Sequence, residues 1–473
     1  MKTLALLSAL VLATPGHAAT PRHPDALDPV RVELTLPTPA EFTLPNGLRV
    51  ILFENHELPL VSLSAGFAMG TRYLEPAEYP ALDALEALWG AGGAGERGPE
   101  DFDAAVSALG LELEPKVSGG CALLNALMLA EDLEAGARLW RDLLLAPAFD
   151  EERIARTRAQ MIKELQGLAD EPWQLVATYY QRLLSGPESP QGRIASREEI
   201  EAIDGDTLRA LYLRFLGGGT LVLGVHGDVT EPQIRALLEG LVGTWTGAGR
   251  EATPVARLAP RVTRPGVFVF PGEFSQCHLR MGRPIPDLTD TSPEVSLARM
   301  LSYGLGYLRV FMRTRAEGLS YGTTTLLSQD ADRGQFWAMG NTRPEGILPL
   351  IRAVREETAA LPDRPLTAEE VESIRLFMLG SALSVQESPS YFLESQIADR
   401  VTGRGADYAR RMVAGYQAAD EASLAATAAR WASFGDEPVV MVLGTPEGGP
   451  EALEGLGLGP VTVLEPLPLP VDD

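Results

Sequence analysis

Histidine, cysteine and lysine are all scarce in this chain of 473 residues. The 5 histidines are His17, His23, His56, His226 and His278, and no two of them lie within helical reach of each other. A zinc site needs several His, Cys or carboxylate ligands converging on one ion, so the sequence argues against an ordinary histidine-based zinc enzyme. Cys121 and Cys277 cannot build a disulfide framework or a cysteine-rich metal module; they fall in different halves of the chain and read as two buried thiols. Lysine occurs only at Lys2, Lys116 and Lys163, so arginine carries nearly all the positive charge. With 40 Lys+Arg against 64 Asp+Glu, the net charge is −24. That is the opposite of the basic footprint a nucleic-acid binder requires; it suits solubility and basic peptides.

The N-terminus has the grammar of a targeting segment. Lys2 precedes an apolar run, Leu4 to Ala13, and then Thr14-Pro15-Gly16-His17-Ala18-Ala19. A short positive region, a short apolar region and small residues at a cleavage point make a secretory signal peptide, residues 1–18, cut after Ala18. The run is too short to span a bilayer, and nothing later in the chain is long and apolar enough to do so. The expected product is exported and periplasmic, beginning with a Pro-rich leader over 19–41.

The rest reads as one unit written twice. Phe42-Thr-Leu-Pro-Asn46-Gly47-Leu48 is an Asn-Gly hairpin turn feeding a β-branched strand. A second strand over Leu60–Ala68 follows, then a helix over 78–89, a Gly-rich connector at 90–98 and a short helix over 100–109. Strands at 111–117 and 121–129, an amphipathic helix to about 145 and a long helix capped by Asp150 come next. A strand at 220–225 closes the unit, and Thr230 caps a last helix. After a Pro/Arg-rich stretch the order recurs: strands at Val267–Phe270 and Ser275–Met281, a helix from Pro293, strands at 319–327 and 334–341, a helix over 345–360. Thr367-Ala-Glu-Glu370 is a capping box opening another long helix, and Pro438–Leu443 mirrors 220–225. This order predicts an α+β fold of two homologous sheet-plus-helix layer domains, 42–245 and 266–473, joined by a linker over 246–265.

Several short patterns now fall in line: Phe42-x-Leu44-x-Asn46-Gly47-Leu48-x-Val50, Pro59-x-Val61, Gly70-Thr71 with Glu75, Glu171-Pro172, Pro190-x-Gly192 and Gly227-Asp228. In this order they resemble the pitrilysin/insulinase (inverzincin) metallopeptidases, over nearly the whole chain from residue 42 onward. The resemblance implies a mitochondrial-processing-peptidase-like, clam-shaped molecule around a central cavity. Its catalytic helix carries H-x-x-E-H, with two His ligands and a Glu base sharing one helix face. Here the aligned stretch is Asp83-Ala84-Leu85-Glu86-Ala87, so Asp83 and Ala87 stand where the histidines belong and Glu86 keeps the base position. A further glutamate ligand is matched by Glu164 in the long helix. The second half has Ser296, Arg299 and Met300 at the matching places. The expectation is therefore no catalytic residue and no metal in this chain. Two other readings stay open for Asp83, Glu86 and Glu164: solvated acids of a decayed cleft, or a hard-cation site of three carboxylates.

The family's peptide clamp, an Arg–Tyr pair in the C-terminal repeat, matches Met312-Arg313-Thr-Arg315-Ala-Glu-Gly318-Leu319-Ser320-Tyr321-Gly322. Tyr321 fits, and either Arg313 or Arg315 is its partner; both neighbour the strict spacing without meeting it. A plainer alternative is Tyr321 packed in a strand with the arginines capping the preceding helix. The Gly-rich 90–98 segment lacks a phosphate-loop ending, and His226 reads as structural. The resemblance implies a non-catalytic, substrate-binding subunit, needing no cofactor of its own, with zinc held by a homologous catalytic partner carrying H-x-x-E-H. The alternatives are a stand-alone structural or peptide-binding pseudo-peptidase, and an active peptidase with an unorthodox metal site.

Overall fold

Asn46-Gly47 turns the chain as the sequence demands. Gly47 takes a positive φ of 90°, and Phe42 pairs with Val50 across the antiparallel hairpin. The computed structural model describes residues 34, 36–118, 120–217, 219–246, 264–330 and 333–469. The expected signal peptide, its cleavage point, the start of the leader and residues 247–263 of the expected linker lie outside the described residues. The first strand begins at Ala40, so the last residues assigned to the leader, Ala40 and Glu41, already belong to the sheet.

The strands form two sheets. In the first are β1 (Ala40–Thr43), β2 (Arg49–Glu54), β3 (Leu60–Ala68), β4 (Glu112–Ser118), β5 (Cys121–Leu129) and β6 (Val222–Gly227), in spatial order β1-β2-β6-β3-β5-β4. The second holds β7 (Gly266–Phe270), β8 (Cys277–Ile285), β9 (Thr324–Gln329), β10 (Gly334–Thr342), β11 (Val439–Leu443) and β12 (Val461–Val463), in order β12-β7-β11-β8-β10-β9. The orders superpose strand for strand, with β6 and β11 each parallel to one neighbour and antiparallel to the other. They differ at one edge. A local hairpin supplies β1, whereas β12 arrives from near the C-terminus and runs parallel to β7.

The helices of the first half are α1 (Tyr79–Leu88), α2 (Pro99–Ala108), α3 (Leu133–Leu145), α4 (Glu151–Gly167), α5 (Pro172–Ser185), α6 (Arg197–Glu201), α7 (Gly205–Leu216) and α8 (Glu231–Val242). Those of the second are α9 (Val295–Tyr303), α10 (Met312–Ala316), α11 (Ile347–Ala359), α12 (Ala368–Glu387), α13 (Pro389–Val401), α14 (Tyr408–Ala418) and α15 (Glu421–Trp431), with a π-helical stretch, Gly304–Phe311, joining α9 to α10. The expected caps are present: Asp150 accepts from the Arg153 amide at 3.0 Å, and Thr367 from that of Glu370 at 3.3 Å.

The described residues from Leu34 onward form one compact unit, because two helices are exchanged between the sheets. From the second half, α13 packs on β3 and β6 of the first sheet, sinking Phe392, Leu393 and Ile397 into its core. From the first half, α5 packs on β8 and β11, and its Leu175, Val176, Tyr179 and Tyr180 share a core with Phe268, Val439 and Met441. Each buried Leu or Ile so exchanged contributes roughly 1.5–3 kcal/mol. Bare glycines permit the close approach. A Cβ on Gly66 would lie 2.2 Å from the Ile397 side chain, and one on Gly282 would lie 2.3 Å from the Tyr180 hydroxyl.

A buried polar chain locks α13 in place. Ser64 donates to Asn125 at 2.8 Å, Asn125 donates to Glu394 at 2.9 Å, and Lys116 pairs with the other Glu394 oxygen. One of the chain's few lysines thus ties β4 to a helix from the other half. Both cysteines are buried and free.

Candidate functional site: the worn motif helix and the Arg–Tyr pair

Leu82, Leu85 and Leu88 bury one side of α1, and Trp89 and the positive-φ Gly90 end it. Asp83, Glu86 and Ala87 consequently share its exposed side. Asp83 keeps an open face although protein surrounds it on most sides. That enclosure first, and the charge of Glu86 second, push its carboxyl up from 3.8 to about 6. Glu164 sits exposed on α4, which packs on α1, and accepts from Gln160 at 2.7 Å.

These residues do not fit a zinc ion. Ala87 has no donor atom, and among the described residues no three His, Cys, Asp or Glu side chains could hold a metal together. Of the described histidines, His56 faces Asp228 at 2.7 Å, His226 lies beside the Phe53 ring, and His278 meets Trp173 edge-on at 4.8 Å.

The Arg–Tyr stretch adopts a definite form. Residues 319–323 do not join the strand expected over 319–327, which starts only at Thr324. Positive-φ Gly318 turns the chain out of α10, the Leu319 and Ser320 amides return to the Thr314 carbonyl, and the Ser320 hydroxyl accepts from the Gly322 amide. Tyr321 is therefore lifted off the sheet edge and is 81% exposed. The two arginines behave differently. Arg313 is held by Glu317 at 2.8 Å, Glu356 at 2.7 Å and Glu357 at 3.2 Å. Arg315 lies over the Tyr321 ring, 4.9 Å from its centroid.

Behind this pair runs an aromatic column that the motif search did not reveal. Phe377 stacks on Tyr303 at 4.0 Å, Tyr303 on Tyr307 at 5.2 Å and Tyr307 on Phe311 at 5.2 Å; Arg315 then caps Phe311 at 5.8 Å. Tyr303, Tyr307, Phe311 and Arg315 follow i, i+4 spacing along one helical face, a signal already present in the sequence. Tyr303 and Tyr307 also line a cavity of about 760 Å³ walled by α9, α12, α13 and α14. Arg299, at the second half's counterpart of the Glu86 position, faces this cavity and donates to the Tyr408 hydroxyl at 3.1 Å. Asp399 lines it too, buried beside Arg404 at 3.0 Å, its carboxyl pushed up to about 6 because burial outweighs Arg404 and the other nearby arginines.

Residues 202–377 match the family model described as the peptidase M16 inactive domain. The chain is similar to the peptidase M16 family over that stretch. The description 'inactive' is that of the matched segment, which does not include α1 or α4. It is 26% identical over 350 residues to an uncharacterized zinc protease of Streptomyces coelicolor, covering 70% of this chain and 73% of that protein. An uncharacterized zinc protease of Bacillus subtilis, YmxG, is 21% identical over 353 residues, covering 73% and 84% respectively. The fold is that of solved M16 structures. A peptidase M16 inactive domain from Pseudomonas fluorescens superposes with a TM-score of 0.75 at 18% identity, covering 86% of this chain and 98% of that one. The periplasmic protease PqqL of Escherichia coli also gives 0.75 at 15% identity, covering 94% of this chain and 49% of PqqL.

Proposed function

We propose that this chain binds extended peptide without cleaving it and aligns that peptide for a homologous catalytic subunit carrying H-x-x-E-H, which holds the zinc. The observation that carries the reading is Tyr321, exposed on a tight turn with Arg315 stacked on its ring. A phenol hydroxyl and a guanidinium offer hydrogen bonds to peptide carbonyls, and a peptide can lie along the column of rings behind them. Arg315 is the clamp partner in this reading; Arg313, already engaged by carboxylates, is a structural residue. The signal peptide, cleavage after Ala18, the periplasmic location and the two-domain division at 246–265 belong to the same proposal.

Fluorescence anisotropy of a labelled unfolded peptide tests it. The chain alone should bind, Tyr321→Phe and Arg315→Ala should weaken binding several-fold, and cleavage should appear only on adding a relative with an intact motif. Cleavage by this chain alone, lost on adding chelator, would overturn it. N-terminal sequencing of the secreted product checks the export step.

A further inference from the structure

The two exchanged helices cover equivalent faces of the two sheets, yet the chemistry beneath them differs. In the first half, Ser64 of β3 lies opposite Asn125 of β5, and above them the α13 carboxylate of Glu394 takes the Asn125 amide and Lys116. The strand registers put Arg280 of β8 opposite Met339 of β10 at the corresponding place. The α5 residue that stands in the position of Glu394, counted from each helix's leading proline, is Ala177. The second half therefore replaces an acid by a methyl group just where the sheet beneath it gains a cation.

The result is a cavity of about 370 Å³, lined by Ala177, Arg280, Tyr180, Gln335 and Trp337 among others. Arg280 lies over the Trp337 ring at 4.5 Å, and its one hydrogen-bond partner among the described residues is the Met339 sulfur at 3.4 Å. Among the described residues no carboxylate pairs with it; burial pulls the guanidinium below its ordinary range, opposed by the Tyr180 hydroxyl. Three buried polar atoms here have no partner among the described residues: Arg280 Nε, the Tyr180 hydroxyl and Gln335 Oε1. Tyr180 itself is 2% exposed. Leaving such groups unpaired is unfavourable, and a matching ligand removes that cost.

We propose that this cavity binds a carboxylate with a neighbouring N–H, as the C-terminal residue of a peptide presents. Arg280 and Tyr180 donate to the carboxylate, as Lys116 and Asn125 donate to that of Glu394, and Gln335 accepts the N–H. A single guanidinium balances one negative charge, so a monoanionic carboxylate fits better than a phosphate dianion. The Trp337 ring and Ala177 supply the apolar walls for a side chain, and the volume is that of a small-ligand pocket. The site is separate from the Arg315–Tyr321 pair, and its failure would leave the clamp reading untouched.

Isothermal titration of the full chain with N-acetyl-Ala-Phe, its C-terminal amide and free phenylalanine tests this. The acid should bind at least about tenfold more tightly than the amide, and Arg280→Met should abolish the difference. Tyr180→Phe should weaken the acid several-fold and serves if Arg280→Met does not fold. Ala177→Glu, which restores the missing internal carboxylate, should raise the melting temperature and abolish binding. Free phenylalanine binding as tightly as the acid would keep the carboxylate site and assign it to free amino acids. Equal affinity for acid and amide, no binding of any probe at millimolar concentration, or unchanged binding in Ala177→Glu would overturn the proposal.

Discussion

Glu394 is the most informative single position for the joint between the halves. Its side chain is 9% exposed, accepts from Asn125 at 2.9 Å and pairs with Lys116, itself 30% exposed. Glu394→Ala strands a buried amide and an ammonium that has lost its counter-charge, with a cost of about 3–4 kcal/mol. Glu394→Gln keeps an acceptor for Asn125 and loses the charge, for about 1 kcal/mol, since Lys116 is partly solvated. Lys116→Met leaves the more deeply buried carboxylate unpaired and should cost about 2 kcal/mol. A double-mutant cycle of Lys116→Met with Glu394→Gln, read by urea unfolding, should return a coupling of about 1–2 kcal/mol. Because α13 completes the first sheet, tryptophan fluorescence and far-UV circular dichroism should report one shared transition. A coupling near zero, or two separated transitions, would refute the account of α13 as the joint.

Arg313 and Arg315 should separate cleanly: Arg313→Ala lowers stability by about 1–2 kcal/mol through the loss of its carboxylate cluster and leaves peptide affinity alone, while Arg315→Ala does the reverse. Equal effects of both on affinity would count against the assignment. Asp83 carries a pKa raised from 3.8 to about 6, so the folded chain holds a proton that the unfolded chain releases. Stability should be unaffected below about pH 4, fall as pH rises to about 6 and stay lower above it. Asp83→Asn should flatten that slope and gain roughly 1 kcal/mol at neutral pH, after allowance for solvent screening; an unchanged urea-midpoint profile would contradict this. Burial pushes the Cys121 thiol up to about 12 and that of Cys277 up to about 11, so a disulfide reagent at about pH 8 should label neither in the native protein and both after unfolding.

Element order and type were legible because periodicity, caps and the Asn-Gly turn are local signals, and the repeat doubled each of them. The exposed face of α1 was legible for the same reason: Leu82, Leu85 and Leu88 fix its buried side, and with it the exposure of Asp83, Glu86 and Ala87. The sequence singled out Tyr321 but not its setting, because a Gly318 turn and a helix cap overrode the strand propensity of Leu319-Ser320-Tyr321. Which arginine accompanies Tyr321 depended on Glu317, Glu356 and Glu357, two of them far along the chain. The Arg280 cavity had no sequence signal at all. It comes from the comparison of Ala177 with Glu394, which only the strand registers and the exchanged helices put side by side.

The exchange also sets a timetable for biosynthesis. A chain made from its N-terminus has all the strands of the first sheet once residue 227 has emerged, yet the helix that covers β3 and β6 spans Pro389–Val401. For the whole interval between, the face that receives Phe392, Leu393 and Ile397 has no cover of its own. Contacts of such long sequence separation form late, and an uncovered apolar face is an aggregation hazard in the meantime. Isolated first halves of this protein should accordingly be poorly soluble, and the second half supplied in trans should rescue them.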